Sequence, residues 1–518
     1  MAGMIFDVVQ RNPRLSLLAL LGLAVYLAVR YITSPWRKVP PGPTGLPIIG
    51  NLHQMGSSKQ WLKYTEWRNT YGDYIFLNAG GQPLLVVSSS KVAGDLLDRR
   101  ATIYSDRPKN IVANDMMTGG LLITFTHYND IWRRLRKAAH EGLNKAVAHR
   151  YHQTQTNEAV ILTHGVLSEP TKFDDHLRRT AVSSIMTMLY DYPPIESQED
   201  PTVKRIHNFV NSSPGCDIFL VGDLAKWKRD AEDGFARDSV LFEGLFKSVQ
   251  DRVEKGDEGS SLSAFLIKEA DRHNITMREN AWLAGTMYGA ATDTNAGVMA
   301  WWIFAMMLYP ETMKRGQEEI DAVVGRDRLP SFADFDNMPY LRAMVKETLR
   351  WRPLDPLGIP HRSIEDDWYE GRFIPKGTII IPNVWSLNRD PEIHGPDAHE
   401  FNPLRHLNAN GQIKPAPPDT KEEGHFTYGF GRRICVGRHV ANNSLLIEIA
   451  MMMWALNIEQ ARDKSGALIP LDVDGCWEDG LAVRPVPYQC KITPRFPEAL
   501  SILEHEKENI ERSFGKRH

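Results

Sequence analysis

The sequence predicts a mainly α fold with a minor β-sheet (α+β), one large globular body behind an N-terminal membrane anchor. Three observations predict it. Apolar residues recur with helical spacing from about residue 90 to about 350, strand-like runs are few and short, and after residue 53 no linker or internal repeat divides the chain. A length of 518 residues would by itself suggest several domains, so the undivided organisation outweighs length. The net charge is −3, from 61 basic and 64 acidic residues mixed along the chain, and this argues against nucleic acid as a partner.

Taken in order, Leu15 to Val29 is an uncharged apolar run extended by Tyr31 and Ile32 beyond Arg30, just long enough to span a bilayer. A cleaved signal peptide is the alternative. No A-x-A cleavage site follows, and Trp36-Arg37-Lys38 reads as an interfacial stop, which favours a retained anchor over residues 1–35. Residues 36–52 form a proline-rich hinge, in which the prolines of "VPPGPTGLPIIGNL" fix φ and remove donors. The globular body is expected over residues 53–518. Within it, "YIFLNAGGQPLLVVSS" reads as two strands around a Gly80-Gly81 turn, and "GTIIIP" (377–382) and "VPYQCKITP" (486–494) restore a little strand.

One helix is especially informative. Thr276 and Glu279 form a capping box, and the helix they open is predicted to run to Leu308, ahead of Pro310. From Ala281 to Tyr309 its only formal charge is Asp293, so it is expected to be buried on all sides. A second membrane span is the alternative, but the small and polar residues of "GAATDTNAG" are poor lipid-facing material.

The four cysteines, Cys216, Cys435, Cys476 and Cys490, make neither a zinc pattern nor a disulfide scaffold and fit a reducing compartment. Cys435 stands apart. It lies in "FTYGFGRRICVG", among Gly429, Gly431 and Gly437, just before a strong helical pattern. A helix N-terminus and the neighbouring Arg432 and Arg433 are expected to lower its pKa and make it a ligand or a nucleophile. The glycines would admit a flat partner, and the arginines would pair with anionic groups on it. An inert buried cysteine beside a glycine turn is the plain alternative.

This stretch resembles the haem-binding loop, FxxGxRxCxG, of the cytochrome P-450 haem-thiolate monooxygenases, with Tyr428 in place of the usual Phe and Val436 where Pro is frequent. The resemblance extends in order along nearly the whole chain. "VKETLRWRP" resembles the family's ExxR helix with Glu347 and Arg350, and "FNPLRHL" supplies Arg405, with His406 replacing a usual Phe. "DIWRRLRKAAH" resembles WxxxR with Trp132 and Arg136, and "AATDTN" resembles the oxygen-binding segment with Asp293 and Thr294. Ala291 and Asn295 depart from that last pattern.

The resemblance implies haem b as cofactor, with Cys435 as metal ligand and Trp132, Arg136, His361 and Arg433 around its propionates. It also implies Thr294 and Asp293 as the residues managing protons for dioxygen, and a buried network of Glu347, Arg350 and Arg405 behind the cysteine loop. The implied activity inserts one oxygen atom from O2 into a small lipophilic molecule, a terpenoid, polyketide or aromatic of fungal secondary-metabolism type.

No dinucleotide fingerprint is present, so the implied electron source is a separate NADPH-dependent flavoprotein reductase, with a cytochrome b-type donor as an addition. Arg133, Arg134 and Lys137 are candidates to meet its acidic face. The implied location is the endoplasmic reticulum membrane, with the catalytic body cytosolic. Two other readings stand beside this one, a haem-thiolate peroxide isomerase or dehydratase that needs no reductase, and a non-catalytic haem sensor or carrier. The distal pocket is expected from residues 104–123, Tyr288 and Gly289, Leu354 to Ile359, and Gly480 with Leu481.

Overall fold

Two apolar clusters organise the body, and the long helix announced by Thr276 runs through both. The computed structural model describes residues 13–197, 200–201, 224–257, 259–479 and 482–515, so Cys216, Gly480 and Leu481 lie outside the described residues. The helices that build the site are α1 (Pro13–Thr33), α2 (Asp130–Leu143), α3 (His152–Ser168), α4 (Phe173–Tyr190), α5 (Leu224–Glu254), α6 (Met277–Leu308), α7 (Pro339–Trp351) and α8 (Arg438–Ala455).

Helix α6 starts as the sequence predicts. The Thr276 hydroxyl accepts from the Glu279 N–H while Glu279 accepts from the Thr276 N–H, which satisfies two amides that a helix start otherwise leaves unpaired. The helix packs on α2, α4, α5 and α8. Its first half, Ala281 to Tyr288, belongs to a cluster with Ile123, Trp132, Phe242, Val436 and Val440. Its second half, Ala296 to Met307, belongs to a larger cluster with most of α8 and with Leu341, Trp351 and Phe401. Trp282 and Trp302 are fully buried in the two halves. The middle of the helix, Gly289 to Asn295, lies at the seam between the clusters and is much less buried than either half.

The sheet content is small, as expected. The strands are β1 (Tyr74–Ala79), β2 (Gln82–Val87), β3 (His361–Arg362), β4 (Asp367–Tyr369), β5 (Arg372–Ile374), β6 (Ile379–Pro382), β7 (Leu456–Gln460), β8 (Cys476–Asp479), β9 (Ala482–Pro485) and β10 (Cys490–Pro494). β1 and β2 form the hairpin read from the Gly80-Gly81 turn, and both glycines have positive φ, as a two-residue hairpin turn requires. The main sheet has the order β1-β2-β6-β3, with β2 and β6 parallel, and this places His361 on an edge strand. The strand expected over 486–494 is confined to Cys490–Pro494, where it pairs with β7; Pro485 and Pro487, which lack N–H donors, precede it.

Among the described residues one helix, near the N-terminus, is long and apolar enough to cross a membrane. The most apolar stretch of its span, Leu17–Lys38, has no residue buried inside the body. Trp36, at its end, meets Phe76 and Phe373 edge-on and so ties the hinge to the β1 and β5 strands. The Phe76 N–H donates to Pro41 O, which fixes the proline segment along β1.

Candidate active site

Cys435 follows a one-turn 3-10 helix, Gly431–Arg433, and precedes α8, whose N-cap is Gly437. Its backbone N–H donates to Tyr428 O at 2.8 Å, closing the loop back on itself. The glycines divide their tasks. Gly431 has φ +53, and a Cβ there would lie 2.1 Å from Leu97 O, so this glycine serves close backbone packing inside the protein. A Cβ at Gly429 or Gly437 would meet nothing within 4 Å, so the loop is open beside the cysteine.

The expected electrostatics of Cys435 needs correction. Burial pushes the thiol up from its ordinary value; the Gly437 N–H, Arg136 and Arg438 pull it down but do not overcome burial. The arginines expected to do this lie elsewhere. Arg432 donates to the Tyr128 hydroxyl, and Arg433 donates to the carbonyls of Ser105 (2.8 Å), Ile123 (3.2 Å) and Thr126 (2.7 Å). Proximity in sequence misled here: cations from α2 and from the first turn of α8 face the sulfur instead.

Trp132 and Arg136 lie one turn apart on α2. The Trp132 indole donates to Ile123 O at 3.2 Å, the Arg433 guanidinium lies 4.2 Å from the Trp132 ring, and Arg136 donates to Ile434 O next to the cysteine. The structure therefore brings Trp132, Arg136, Arg433 and Cys435 together. Arg107, which the sequence gave no reason to single out, joins them by donating to Thr124 O (2.8 Å), Ile359 O (2.7 Å) and Pro360 O (2.7 Å).

Burial pushes Arg136 and Arg107 down to about 10, and burial together with repulsion from Arg107 pushes Arg433 to about 8. Among the described residues none of the three is ion-paired with a carboxylate; Asp106, nearby, is shared with His127 and Arg362. Three crowded cations, each without a carboxylate partner among the described residues, make a site that favours an added anion. His361, on the same side, directs Nδ1 at Tyr104 O (2.8 Å). A carbonyl only accepts, so Nδ1 carries the proton and Nε2 is an acceptor; burial and Arg107 hold the ring well below its ordinary pKa and neutral. It can meet a carboxylate only after gaining a proton.

Beyond its first turn, the exposed residues of α6 are Ala290 and Thr294, one turn apart and hence on one face, between two buried stretches of the helix. The Thr294 hydroxyl donates to Ala290 O at 2.9 Å, which leaves its lone pairs turned outward. Asp293 is half-buried and interacts electrostatically with Arg484 and Tyr288. Asn295 points the other way, toward α8, where its amide meets Glu448.

The expected buried network is present and larger than expected. Glu347 and Arg350 are wholly buried, with Arg350 Nε and Nη2 each 2.7 Å from a Glu347 oxygen, and Arg405 Nε donates to Glu347 at 2.9 Å. His406 adds a contact of 3.0 Å to the second carboxylate oxygen. From there Arg350 donates to Asn388 O, and the Asn388 side chain holds both the Phe426 N–H and the Thr427 hydroxyl, the first residues of the cysteine loop.

These observations test a haem. Cys435 is accessible although protein surrounds it, the adjacent glycines leave open space, Ala290 and Thr294 are accessible at the seam, and guanidiniums without a carboxylate partner among the described residues could take the anionic groups of a haem. The residues fit the group.

Comparison with known proteins agrees. The family model for cytochrome P450 matches residues 40–491. A cytochrome P450 monooxygenase of Armillaria gallica is 61% identical over 499 residues, covering 94% of this chain and 95% of the relative. The cytochrome P450 monooxygenase iboC of Amanita muscaria is 40% identical, with 91% and 94% covered. A solved zebra fish cytochrome P450 with abiraterone superposes with a TM-score of 0.68 at 25% identity, over 84% of this chain and all of that one. A family match from the hinge to the last strand, shared with fungal monooxygenases along nearly their full length, shows that the chain belongs to the cytochrome P450 family of haem-thiolate monooxygenases.

Proposed function

We propose that this monooxygenase hydroxylates a small lipophilic molecule of secondary metabolism, with a terpenoid, polyketide or aromatic skeleton. The observation that carries the reading is the accessible Thr294 at the seam of two cores, with an accessible Cys435 just ahead of α8, a helix that reaches into both cores. The balanced reaction takes R–H, O2, two electrons and two protons to R–OH and water. The haem, when bound, supplies the iron at which O2 is activated.

The chain's own residues do the rest. Cys435 provides the sulfur ligand; Trp132, Arg136 and Arg433 hold the propionate edge, with Arg107 adding charge and His361 joining on protonation. Thr294 offers hydroxyl lone pairs to a proton-bearing group in the pocket, and Asp293, one position earlier on the helix and within electrostatic reach of Arg484, relays protons toward it. The residues around Tyr104 to Ile123, Tyr288 and Leu354 to Ile359 are largely apolar and exclude water from the reacting centre.

Residues 1–35 serve as a single-pass anchor in the endoplasmic reticulum membrane, residues 36–52 as the hinge, and residues 53–518 as the cytosolic catalytic body. Electrons come from an NADPH-dependent flavoprotein reductase. On α2, Lys137 is exposed, whereas Arg133 is paired with Asp130 and Arg134 is tied to Glu279 at 3.2 Å, so Lys137 carries the docking charge. Lys137→Glu is expected to slow reductase-driven turnover severalfold, more at low salt, with the carbonmonoxy spectrum unchanged; equal turnover would remove the patch.

Thr294→Ala tests the proton role. It is expected to bind substrate as before while coupled product formation falls about a hundredfold, the lower end of what one positioned proton-transfer group contributes, and NADPH is diverted to hydrogen peroxide. Unchanged coupling would deny Thr294 that task. The reaction class itself is tested by NADPH and O2 consumption with reconstituted reductase over a lipophilic panel. Turnover of hydroperoxides without reductase would favour an isomerase, and no consumption at all would favour a carrier.

A further inference from the structure

Glu448 lies on α8, 13 residues after Cys435, and its side chain is buried at 3% exposure. Among the described residues its hydrogen bonds come from one group, Asn295 Nδ2, which is 2.8 Å from both carboxylate oxygens. Asn295 Oδ1 is buried and has no hydrogen-bond partner. An ionised carboxylate here would have a single amide donor and no ion-paired cation among the described residues, an arrangement that burial makes costly. The charged groups acting on Glu448 are Glu158 on α3 and Arg179 on α4. Arg179 is already paired with Glu158 at 2.9 Å, and that carboxylate also accepts from the Ser183 hydroxyl. α6 presents Asn295, and neither α7 nor the helix Pro310–Val323, which also pack on α8, contributes a charged group that acts on it among the described residues.

A neutral acid resolves both problems. With a rotation of the amide, which faces both oxygens at 2.8 Å, the carbonyl oxygen of the acid accepts from Asn295 Nδ2 and its O–H donates to the otherwise unpartnered Asn295 Oδ1, closing an acid–amide pair. This pair joins the residue directly after Thr294 to the helix that starts just beyond Cys435. Successive helical residues point about 100° apart, so pinning Asn295 against α8 fixes the roll of α6 and thereby the direction of the Thr294 hydroxyl.

We infer that Glu448, held as the neutral acid against Asn295, is a positioning residue that aligns the oxygen-handling segment of α6 with the cysteine-bearing end of α8. This deepens the monooxygenase reading above and rests on it for its catalytic consequence. Burial pushes the Glu448 carboxyl up to about 8, in keeping with a neutral acid at pH 7.

The sign of the pH effect follows. A carboxyl that holds its proton to about pH 8 when folded, against 4.5 ordinarily, leaves stability intact below 4.5 and withdraws it progressively as pH rises to about 8. Glu448→Gln, whose amide can pair with Asn295 in the same closed geometry without ionising, is therefore expected to have a Tm advantage over the wild type that is absent at pH 4.5, grows to pH 8 and is flat above. In reconstituted turnover at pH 7, Glu448→Ala and Asn295→Ala are each expected to raise peroxide leak severalfold with the thiolate carbonmonoxy band retained. The double variant is expected to be no worse than either single one, Glu448→Gln to restore coupling, and the wild type alone to lose coupling as pH passes about 8.

A pH-independent Tm difference would overturn the inference, as would Glu448→Gln leaking like Glu448→Ala, or additive effects in the double variant. A wild type that binds no porphyrin would overturn the functional reading instead, and the Tm comparison would still decide the state of Glu448.

Discussion

Cys435→His is expected to yield a protein that still takes up some porphyrin, loses the red-shifted carbonmonoxy Soret band of thiolate ligation, and has no measurable reductase-driven turnover. The reason lies in the charge around the sulfur. Arg136 and Arg438 and the Gly437 N–H all favour an anion at this point, while burial disfavours one unless a metal accepts it. A thiolate bound to iron satisfies every one of these groups. A neutral imidazole leaves the two guanidiniums facing an uncharged ring and removes the electron density that the thiolate pushes toward the iron. A red-shifted band that persisted in Cys435→His would move the ligand to another cysteine. The other described cysteines, Cys476 and Cys490, are in β8 and β10, in the second cluster's margin and away from the seam, so the band is expected to vanish.

Helix α6 shows what was legible in the sequence. Its capping box, its length and its single charge are local features, and each is realised in place. The hairpin at Gly80-Gly81 was legible for the same reason, because turn chemistry is set by neighbouring residues. Strands of two to four residues such as β3, β4 and β5 carry too few alternations to announce themselves.

The site shows the opposite limit. Arg107 joins the arginine cluster from a loop with no pattern of its own, and Arg432 and Arg433, close to the cysteine in sequence, do not act on its sulfur because their donors are taken by Tyr128 and by backbone carbonyls. Asn295 reads in the sequence as a missing hydroxyl. Its purpose depends on Glu448, 153 positions later, and no spacing rule links the two.

His406 is a similar case, a departure in the motif that becomes intelligible only beside Glu347, where it supplies a polar contact in a wholly buried network. That network gives the second large prediction. Burial alone would raise the Glu347 carboxyl, but Arg350 first, then His406, outweigh it and hold the group far below the usual carboxylate range. One oxygen accepts from Arg350, Arg405 and the Asn402 N–H, and the other meets Arg350 and His406.

Glu347→Gln keeps the shape but must place an NH2 against one of these sets. It leaves two arginines without their shared countercharge, Arg350 wholly buried and Arg405 nearly so. Breaking such a buried arrangement costs about 3–5 kcal/mol, enough to threaten folding of a marginally stable domain. The expected result is a large fall in Tm and in soluble, haem-loaded yield. Because a depressed carboxyl contributes stability above its unfolded value of 4.5 and loses it as pH falls below, the wild type is expected to approach the variant in acid. Asn388→Ala separates packing from loop support, because it leaves the Glu347 cluster intact but frees the Phe426 N–H and removes the amide donor to the Thr427 hydroxyl, which stays bonded to Leu349 O. A modest Tm loss with a disproportionate loss of the thiolate carbonmonoxy band would show that the network acts on Cys435 through that asparagine, whereas proportional losses would make Asn388 a packing residue only.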